Sequence, residues 1–299
     1  MKEKKIKSYQ KIIAVVLVVV LVAGIIIGTA VFVNRKQYFC QYAKPFYYSQ
    51  ISSERKPELI AHRGAAVYAP ENTLPAYEIA AELGFHYAET DIRSTADGVW
   101  VLSHDENLKR MTGFNGKVES MTLEQVRSHR ITKGGCIEMF LDLKTPTLED
   151  FLNLCVQNKL NPVIEIKTFP AQMPDAPYQD ILLLLEQYRL MDKAIIISFD
   201  YTALQTLREY NRQVQMQYLV KKLDDACITK VQQLGNCGID CEYKALLKAA
   251  EMAEIARKSN IPLNAWTVDK KADVQKIADF GVDFITTNAA VPHERLKIE

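Results

Sequence analysis

Two patterns of apolar residues divide the chain. From Ile12 to Val33 it reads IIAVVLVVVLVAGIIIGTAVFV, 22 residues without a charge and apolar all round. From about residue 58, short β-rich runs alternate with amphipathic stretches. The predicted strands are 58–61, 86–92, 99–103, 162–166, 194–198, 215–219, 237–241, 262–266 and 282–286. Helical patterns fill 73–83, 122–128, 148–158, 178–188, 201–211, 245–258 and 270–279. Thr122 and Thr147 stand at N-cap positions, with acidic or amide residues close behind. No Pro, Gly or Ser-rich boundary splits this body.

So many β and α units in one body match a (β/α)₈ TIM barrel. A doubly wound sheet is the rival, but it usually carries a glycine-rich nucleotide loop, and none is found. Nine runs compete for eight staves. Asp97-Gly98 reads as a tight turn between two of them. One of those two is an addition to the barrel, or the ninth run is a closing element.

The apolar head changes the picture of the whole chain. A helix of 22 residues spans roughly 33 Å, enough for a bilayer core. It is too long for a signal-peptide core, and no small-x-small site follows it. Residues 1–56 carry ten basic and two acidic side chains, and residues 57–299 carry 27 and 34. The lysines cluster before the helix, so the expected topology is single-pass in the cell membrane, with a cytoplasmic N-terminus and an extracytoplasmic body. The expected organisation is a basic tail over 1–11, a transmembrane helix over 12–33, a juxtamembrane linker over 34–57 and a barrel over 58–299. Gly24 and Gly28 form a small-xxx-small pair that would suit a homodimer, though glycine is common in membrane helices and the state stays unresolved. The acidic body lacks a basic stripe, which argues against nucleic acid as a partner. Six cysteines, at 40, 136, 155, 227, 237 and 241, allow fifteen pairings and do not choose among them. Cys237 and Cys241 lack the second pair or nearby histidine that a zinc site needs.

The chemistry-bearing residues fall where barrel strands end. The first strand runs into His62-Arg63-Gly64. The second holds Glu89-Thr90-Asp91. The third run ends at His104-Asp105, and the fourth holds Glu165-Ile166-Lys167. Glu89 and Asp91 are two apart on a strand and share a face. Buried side by side they need a counter-charge. A divalent cation, Ca²⁺ or Mg²⁺, would supply it, with Glu165 as third ligand; ion pairs with Lys167 or Arg63 are the other reading. Arg63 and Lys167 can neutralise a phosphate. His62 and His104 can serve as general base and acid, in an order the sequence leaves open. His86, His129 and His293 read as structural.

The ordered set His62-Arg63-Gly64, Pro70-Glu71-Asn72-Thr73, Glu89-x-Asp91, His104-Asp105, Glu165-Ile166-Lys167, Trp266-Thr267-Val268 and Ile285-Thr286 resembles the glycerophosphodiester phosphodiesterase family, over about 58–292. The resemblance implies a barrel of the phosphoinositide-phospholipase C-like type and a membrane-anchored, bacterial-type enzyme. Its reaction would be metal-dependent hydrolysis of glycerophosphodiesters to sn-glycerol 3-phosphate and an alcohol. It implies His62 and His104 as the acid/base pair and Glu89, Asp91 and Glu165 as metal ligands. Arg63 and Lys167 would hold phosphate, Glu71 would support the site, and Trp266 would line the substrate pocket. The stretch 131–145 is an unusual lead into Pro146-Thr147, and Thr287-Asn288 stands where an acidic residue usually follows the threonine. Two alternatives accompany this reading. One is phospholipase-like cleavage of a lysolipid or an envelope glycerophosphate polymer, through a cyclic phosphate. The other is a membrane-tethered binding protein without catalysis, which would be marked by a degraded site.

Overall fold

A computed structural model describes residues 45–168 and 178–292. Eight parallel strands close into a barrel: β2 (Glu58–Ala61), β3 (Tyr87–Ser94), β5 (Asn161–Ile166), β6 (Ile195–Ser198), β7 (Gln215–Val220), β8 (Cys237–Glu242), β9 (Leu263–Trp266) and β10 (Phe284–Thr287). Closure is direct, because β2 pairs with β3 on one side and β10 on the other. The hairpin reading of Asp97-Gly98 decides the ninth run. Gly98 takes φ 79°, and β4 (Trp100–Leu102) returns antiparallel along β3, with Ile92 opposite Leu102. Run 99–103 is thus the addition and not a stave. A further pair, β1 (Phe46–Tyr47) with β11 (Ala290–Val291), ties the segment before the barrel to its end. Phe46, Tyr48 and Ile51 pack on the barrel's hydrophobic core. The second half of the expected linker therefore belongs to the body.

The longer helices lie where apolar stripes predicted them, with two differences. Among them are α1 (Leu74–Glu82), α4 (Leu148–Asn158), α5 (Tyr178–Gln187), α6 (Tyr201–Tyr210) and α10 (Lys271–Phe280); α2 (Lys109–Thr112), which no stripe predicted, and α3 (Leu123–Arg127) are short. Thr122 and Thr147 cap α3 and α4 with reciprocal boxes to Gln125 and Asp150. The first difference is an unpredicted helix, α7 (Asp225–Leu234). Its buried stripe is only Cys227, Ile228, Val231 and Leu234, and its start is set by Asp224 accepting from Cys227 N–H at 3.1 Å. The second is a split of the expected 245–258 helix into α8 (Tyr243–Leu246) and α9 (Ala250–Lys258). Glu242 caps α8 through Ala245 N–H, and Ala249 leaves helical geometry at φ −111°, ψ 43°. No Pro or Gly marks this break, so periodicity alone runs through it.

The barrel interior holds Ile60, Val163, Ile195, Ile197 and Leu219, with Tyr87 and Phe284 meeting edge-on at the strand starts. A larger core lies between strands and helices. Polar interior positions, Gln217, Asn264 and Thr286, bond to one another through the Asn264 amide. Side chains thus fill the barrel, and function is left to its strand ends.

The expected membrane anchor is corrected. Among the described residues no helix is long and apolar enough to cross a membrane. The span 12–33 lies outside the described residues, as do its Gly24–Gly28 pair, Cys40 and His293. An all-apolar run establishes that a segment can span a bilayer, not that the folded chain does so. The transmembrane element of the fold, the membrane and homodimer partners and the single-pass location are accordingly withdrawn. Cys155, Cys227, Cys237 and Cys241 are buried free thiols.

Candidate active site

The turn after β2 places His62 and Arg63 over the strand ends. Arg63 takes a left-handed φ of 57°, followed by Gly64 at 78°. A Cβ on Gly64 would come within 2.8 Å of the Ala76 backbone, so only glycine lets α1 approach this turn. The left-handed geometry turns the Arg63 backbone N–H inward, where it donates to Glu89 Oε2 at 2.9 Å. A strained non-glycine residue held by its surroundings is common at functional sites.

Glu89, Asp91 and Glu165 meet as the strand parity predicts. All three are buried, and one oxygen from each lies within 4.8 Å of the others. Their environments differ. Burial, then the charges of Asp91 and Glu165, pushes Glu89 well above the usual carboxylate range. Burial and Asp91 push Glu165 up to about 7. Burial would raise Asp91 too, but Arg63 and Lys167 outweigh it and hold this carboxyl below its ordinary value. Arg63 Nε lies 3.1 Å from Asp91 Oδ2, and Lys167 Nζ lies 2.6 Å from Glu165 Oε1 and 3.3 Å from Asp91 Oδ1. These are charge contacts without hydrogen-bond alignment. Glu89 Oε1, Asp91 Oδ1 and Glu165 Oε1 stay buried without a hydrogen-bond donor among the described residues. Three buried carboxylates, each with an oxygen within 4.8 Å of the others and countered by only two cations, form an oxygen donor set that fits a hard divalent ion.

Asn72 is the functional residue that sequence reasoning passed over inside its own motif. Its amide is buried at the back of the carboxylates. Nδ2 donates to Asp91 Oδ2 at 2.8 Å. Oδ1 accepts from Tyr77 Oη, Thr90 Oγ1 and Asp91 N–H at 3.0, 3.1 and 3.2 Å. Pairing of β2 with β3 ends at Ala61 opposite Ala88, and the Asn72 side chain serves Asp91 beyond that point. It sits at φ 55°, a left-handed conformation that asparagine tolerates, so the residue type inside the motif was the only signal the sequence offered.

Glu71 accepts from Arg63 Nη1 at 2.9 Å and from Arg110 Nη2 at 2.7 Å. Burial raises its carboxyl, but the two guanidinium groups prevail and hold it below the ordinary value. Arg110 Nε also donates to Asp105 Oδ2 at 2.5 Å, and Asp105 Oδ1 faces His104 Nδ1 at 2.8 Å. Arg93 on β3 fixes the backbone beneath, donating from Nε and Nη2 to the His104 carbonyl at 3.2 and 3.1 Å. On the other side, His62 Nδ1 lies 3.0 Å from Asn288 Oδ1. Burial, then Arg63, pushes the His62 imidazole down to about 4 against the pull of Asp91. Burial lowers His104 as well, opposed first by Asp91. Both imidazoles therefore feel the charges of Asp91 and Arg63. Trp266 is pinned by its indole N–H on the Asp240 carbonyl at 3.1 Å and stands edge-on to Phe199, with ring centroids 5.5 Å apart. His86 sits exposed beside Glu58, and His129 stacks on Phe114.

The fold and its mouth define a parallel barrel with two imidazoles set around a buried acidic cluster. The model of the glycerophosphoryl diester phosphodiesterase family matches residues 62–291. The chain is 31% identical over 247 residues to a glycerophosphodiester phosphodiesterase of Caldanaerobacter subterraneus subsp. tengcongensis, covering 78% of this chain and 94% of that one. It is 28% identical over 249 residues to a Bacillus subtilis protein of the same description, covering 77% and 82%. Among solved structures, an Oleispira antarctica phosphodiesterase in complex with the product sn-glycerol-3-phosphate superposes with a TM-score of 0.71 at 22% identity, covering 81% of this chain and 94% of that one, and so speaks to the fold. The chain belongs to the glycerophosphoryl diester phosphodiesterase family and is an enzyme of that type, a phosphoric diester hydrolase. The family expectation holds without its membrane-anchored qualifier.

Proposed function

We propose that the enzyme hydrolyses a glycerophosphodiester to sn-glycerol 3-phosphate and an alcohol, with His62 and His104 as the acid/base pair. The observation that carries this is the cluster of three buried carboxylates, whose oxygens lie within 4.8 Å of one another, set against Arg63 and Lys167 at the strand ends that His62 and His104 follow. The Oleispira antarctica relative, of the same fold, was solved with sn-glycerol-3-phosphate as its product. Glu89, Asp91 and Glu165 would hold one divalent cation, Ca²⁺ or Mg²⁺. Such an ion, when bound, polarises a phosphoryl oxygen and offsets charge that develops there.

The remaining chemistry belongs to the chain. Arg63 and Lys167 bind the phosphate. Arg63 has Nε on Asp91 and Nη1 on Glu71, which leaves Nη2 with no partner among the described residues. Glu71 and Arg110 hold that guanidinium in place. Trp266 and Phe199 supply an apolar wall for the glycerol or leaving-group side. One histidine takes the proton of the attacking hydroxyl as the new P–O bond forms; the other gives a proton to the alcohol oxygen as the old P–O bond breaks. Fixed cations at the phosphate offset charge in the transition state without reorganising.

The test is turnover of purified His62→Ala and His104→Ala on glycerophosphocholine, glycerophosphoethanolamine and glycerophosphoglycerol. Protein is stripped with chelator and restored with each ion. Both variants are expected to fold and to lose turnover by about 10²-fold or more. Normal turnover in both variants would sink the reading. Full activity after exhaustive chelation would remove the metal from it.

A further inference from the structure

The two histidines are held by different chemistry. His62 follows β2, Asn288 follows β10 and Asp269 lies in the loop after β9, so three neighbouring staves bring them together. Asn288 Nδ2 lies 2.9 Å from Asp269 Oδ2. Asp269 Oδ1 also receives the Asn288 backbone N–H at 2.7 Å and the Thr287 hydroxyl at 3.4 Å. A carboxylate with these donors is an acceptor only. The NH₂ end of the amide must therefore face Asp269, and the carbonyl end must face His62. Asn288 Oδ1 also only accepts, so His62 Nδ1, 3.0 Å away, must carry the hydrogen. In the neutral ring the lone pair then lies on Nε2.

His104 is arranged otherwise. Its Nδ1 faces a carboxylate, Asp105 Oδ1, at 2.8 Å, and Arg110 anchors that carboxylate from its other oxygen. A carboxylate stabilises an imidazolium by charge; an amide carbonyl does so only by its dipole. The pair is thus asymmetric before any substrate arrives.

We propose that Asn288 and Asp269 are positioning residues that lock His62 in the Nδ1–H tautomer, with its Nε2 lone pair free to accept a proton. The inference rests on the reading of these two histidines as the acid/base pair and deepens it. In the reaction, His62 exchanges its proton through Nε2 and keeps its Nδ1–H on Asn288.

The experiment is two-bond ¹H–¹⁵N correlation NMR of the histidine rings in the full chain, with His62 assigned by its loss in His62→Gln, alongside kcat and KM for three variants. Wild-type His62 is expected as the Nδ1–H tautomer. Asp269→Asn removes the charge that orients the amide, so the His62 tautomers should mix. Its kcat should fall roughly 10- to 100-fold, with KM changed about twofold or less, as expected when an acid–base group is misaligned rather than removed. Asn288→Leu should give the same split. The double exchange Asp269→Asn with Asn288→Asp places an acceptor before His62 and a donor behind it, and should recover much of the kcat. A wild-type His62 carrying its hydrogen on Nε2 overturns the proposal, whatever the variants do. So do unchanged tautomer and kcat in Asn288→Leu. Either result with an inactive His62→Ala spares the acid/base reading; an active His62→Ala overturns both.

Discussion

Asn72→Ala isolates the support behind the acidic cluster. The native amide makes four hydrogen bonds in a buried setting: one to a carboxylate oxygen of Asp91, and three from Tyr77, Thr90 and the Asp91 backbone. Tyr77, Thr90 and Asp91 are 0% exposed, so solvent does not readily replace the lost acceptor. A buried polar group left without a partner costs about 1–3 kcal/mol. Some donors will relax or trap a water, which brings the sum for these groups to roughly 3–5 kcal/mol. The φ of 55° adds about 1 kcal/mol more for alanine, which lacks the local hydrogen bonding that asparagine brings to this region. At about 2–4 °C per kcal/mol for a domain of this size, Tm should drop on the order of 10 °C or more. Differential scanning calorimetry and urea titration measure the loss. Asn72→Asp separates support from stability. It keeps the backbone preference and the acceptor, but it turns a donor into a second carboxylate oxygen beside Asp91. It should lose more activity than stability. An Asn72→Ala protein that melts within about 2 °C of wild type, with unchanged activity, would refute the accounting.

Glu89→Gln should leave the ion-free protein about as stable as wild type, because the native carboxyl already sits well above its usual range. It should also abolish the rise in Tm on adding Ca²⁺ or Mg²⁺, a rise worth about 2.7 kcal/mol for wild type at 100 times Kd. A differential scanning fluorimetry series checks both halves, and an intact response would exclude Glu89 as a ligand. Arg110→Met should cost stability in a pH-dependent way. Despite burial, Arg110 and its neighbours hold Asp105 and Glu71 below their ordinary values. Stability from a depressed carboxylate is present above its unfolded pKa and lost as pH falls through the folded value. The gap between wild type and Arg110→Met in urea titrations should therefore be full at pH 7 and narrow below about pH 4. A gap independent of pH would show that packing, not charge, makes the difference.

The sequence by itself determined the barrel's staves and much of its mouth. Short β-rich runs such as 162–166 and 194–198 are apolar and bounded, and they lie where β5 and β6 form. Parity alone placed Glu89 and Asp91 on one buried face, because alternate strand residues must share a face. Capping at Thr122 and Thr147 was legible because the partners lie three residues away. What depends on long-range contact was not legible. The role of run 99–103 depended on which neighbour β3 accepts after closure. The break at Leu247–Ala249 carries no residue signal, and the stripe of α7 is too narrow to stand out. The amide of Asn72 works on a strand that begins fifteen residues away, and Asn288 and Asp269 reach His62 across more than 200 residues of chain. The membrane reading rested on a segment outside the described residues, where an apolar run states only what a segment tolerates. Local pattern fixes the elements, because their hydrogen bonds and periodicities are local. Which lone pair a histidine offers is set by partners on neighbouring staves, and only barrel closure brings those together.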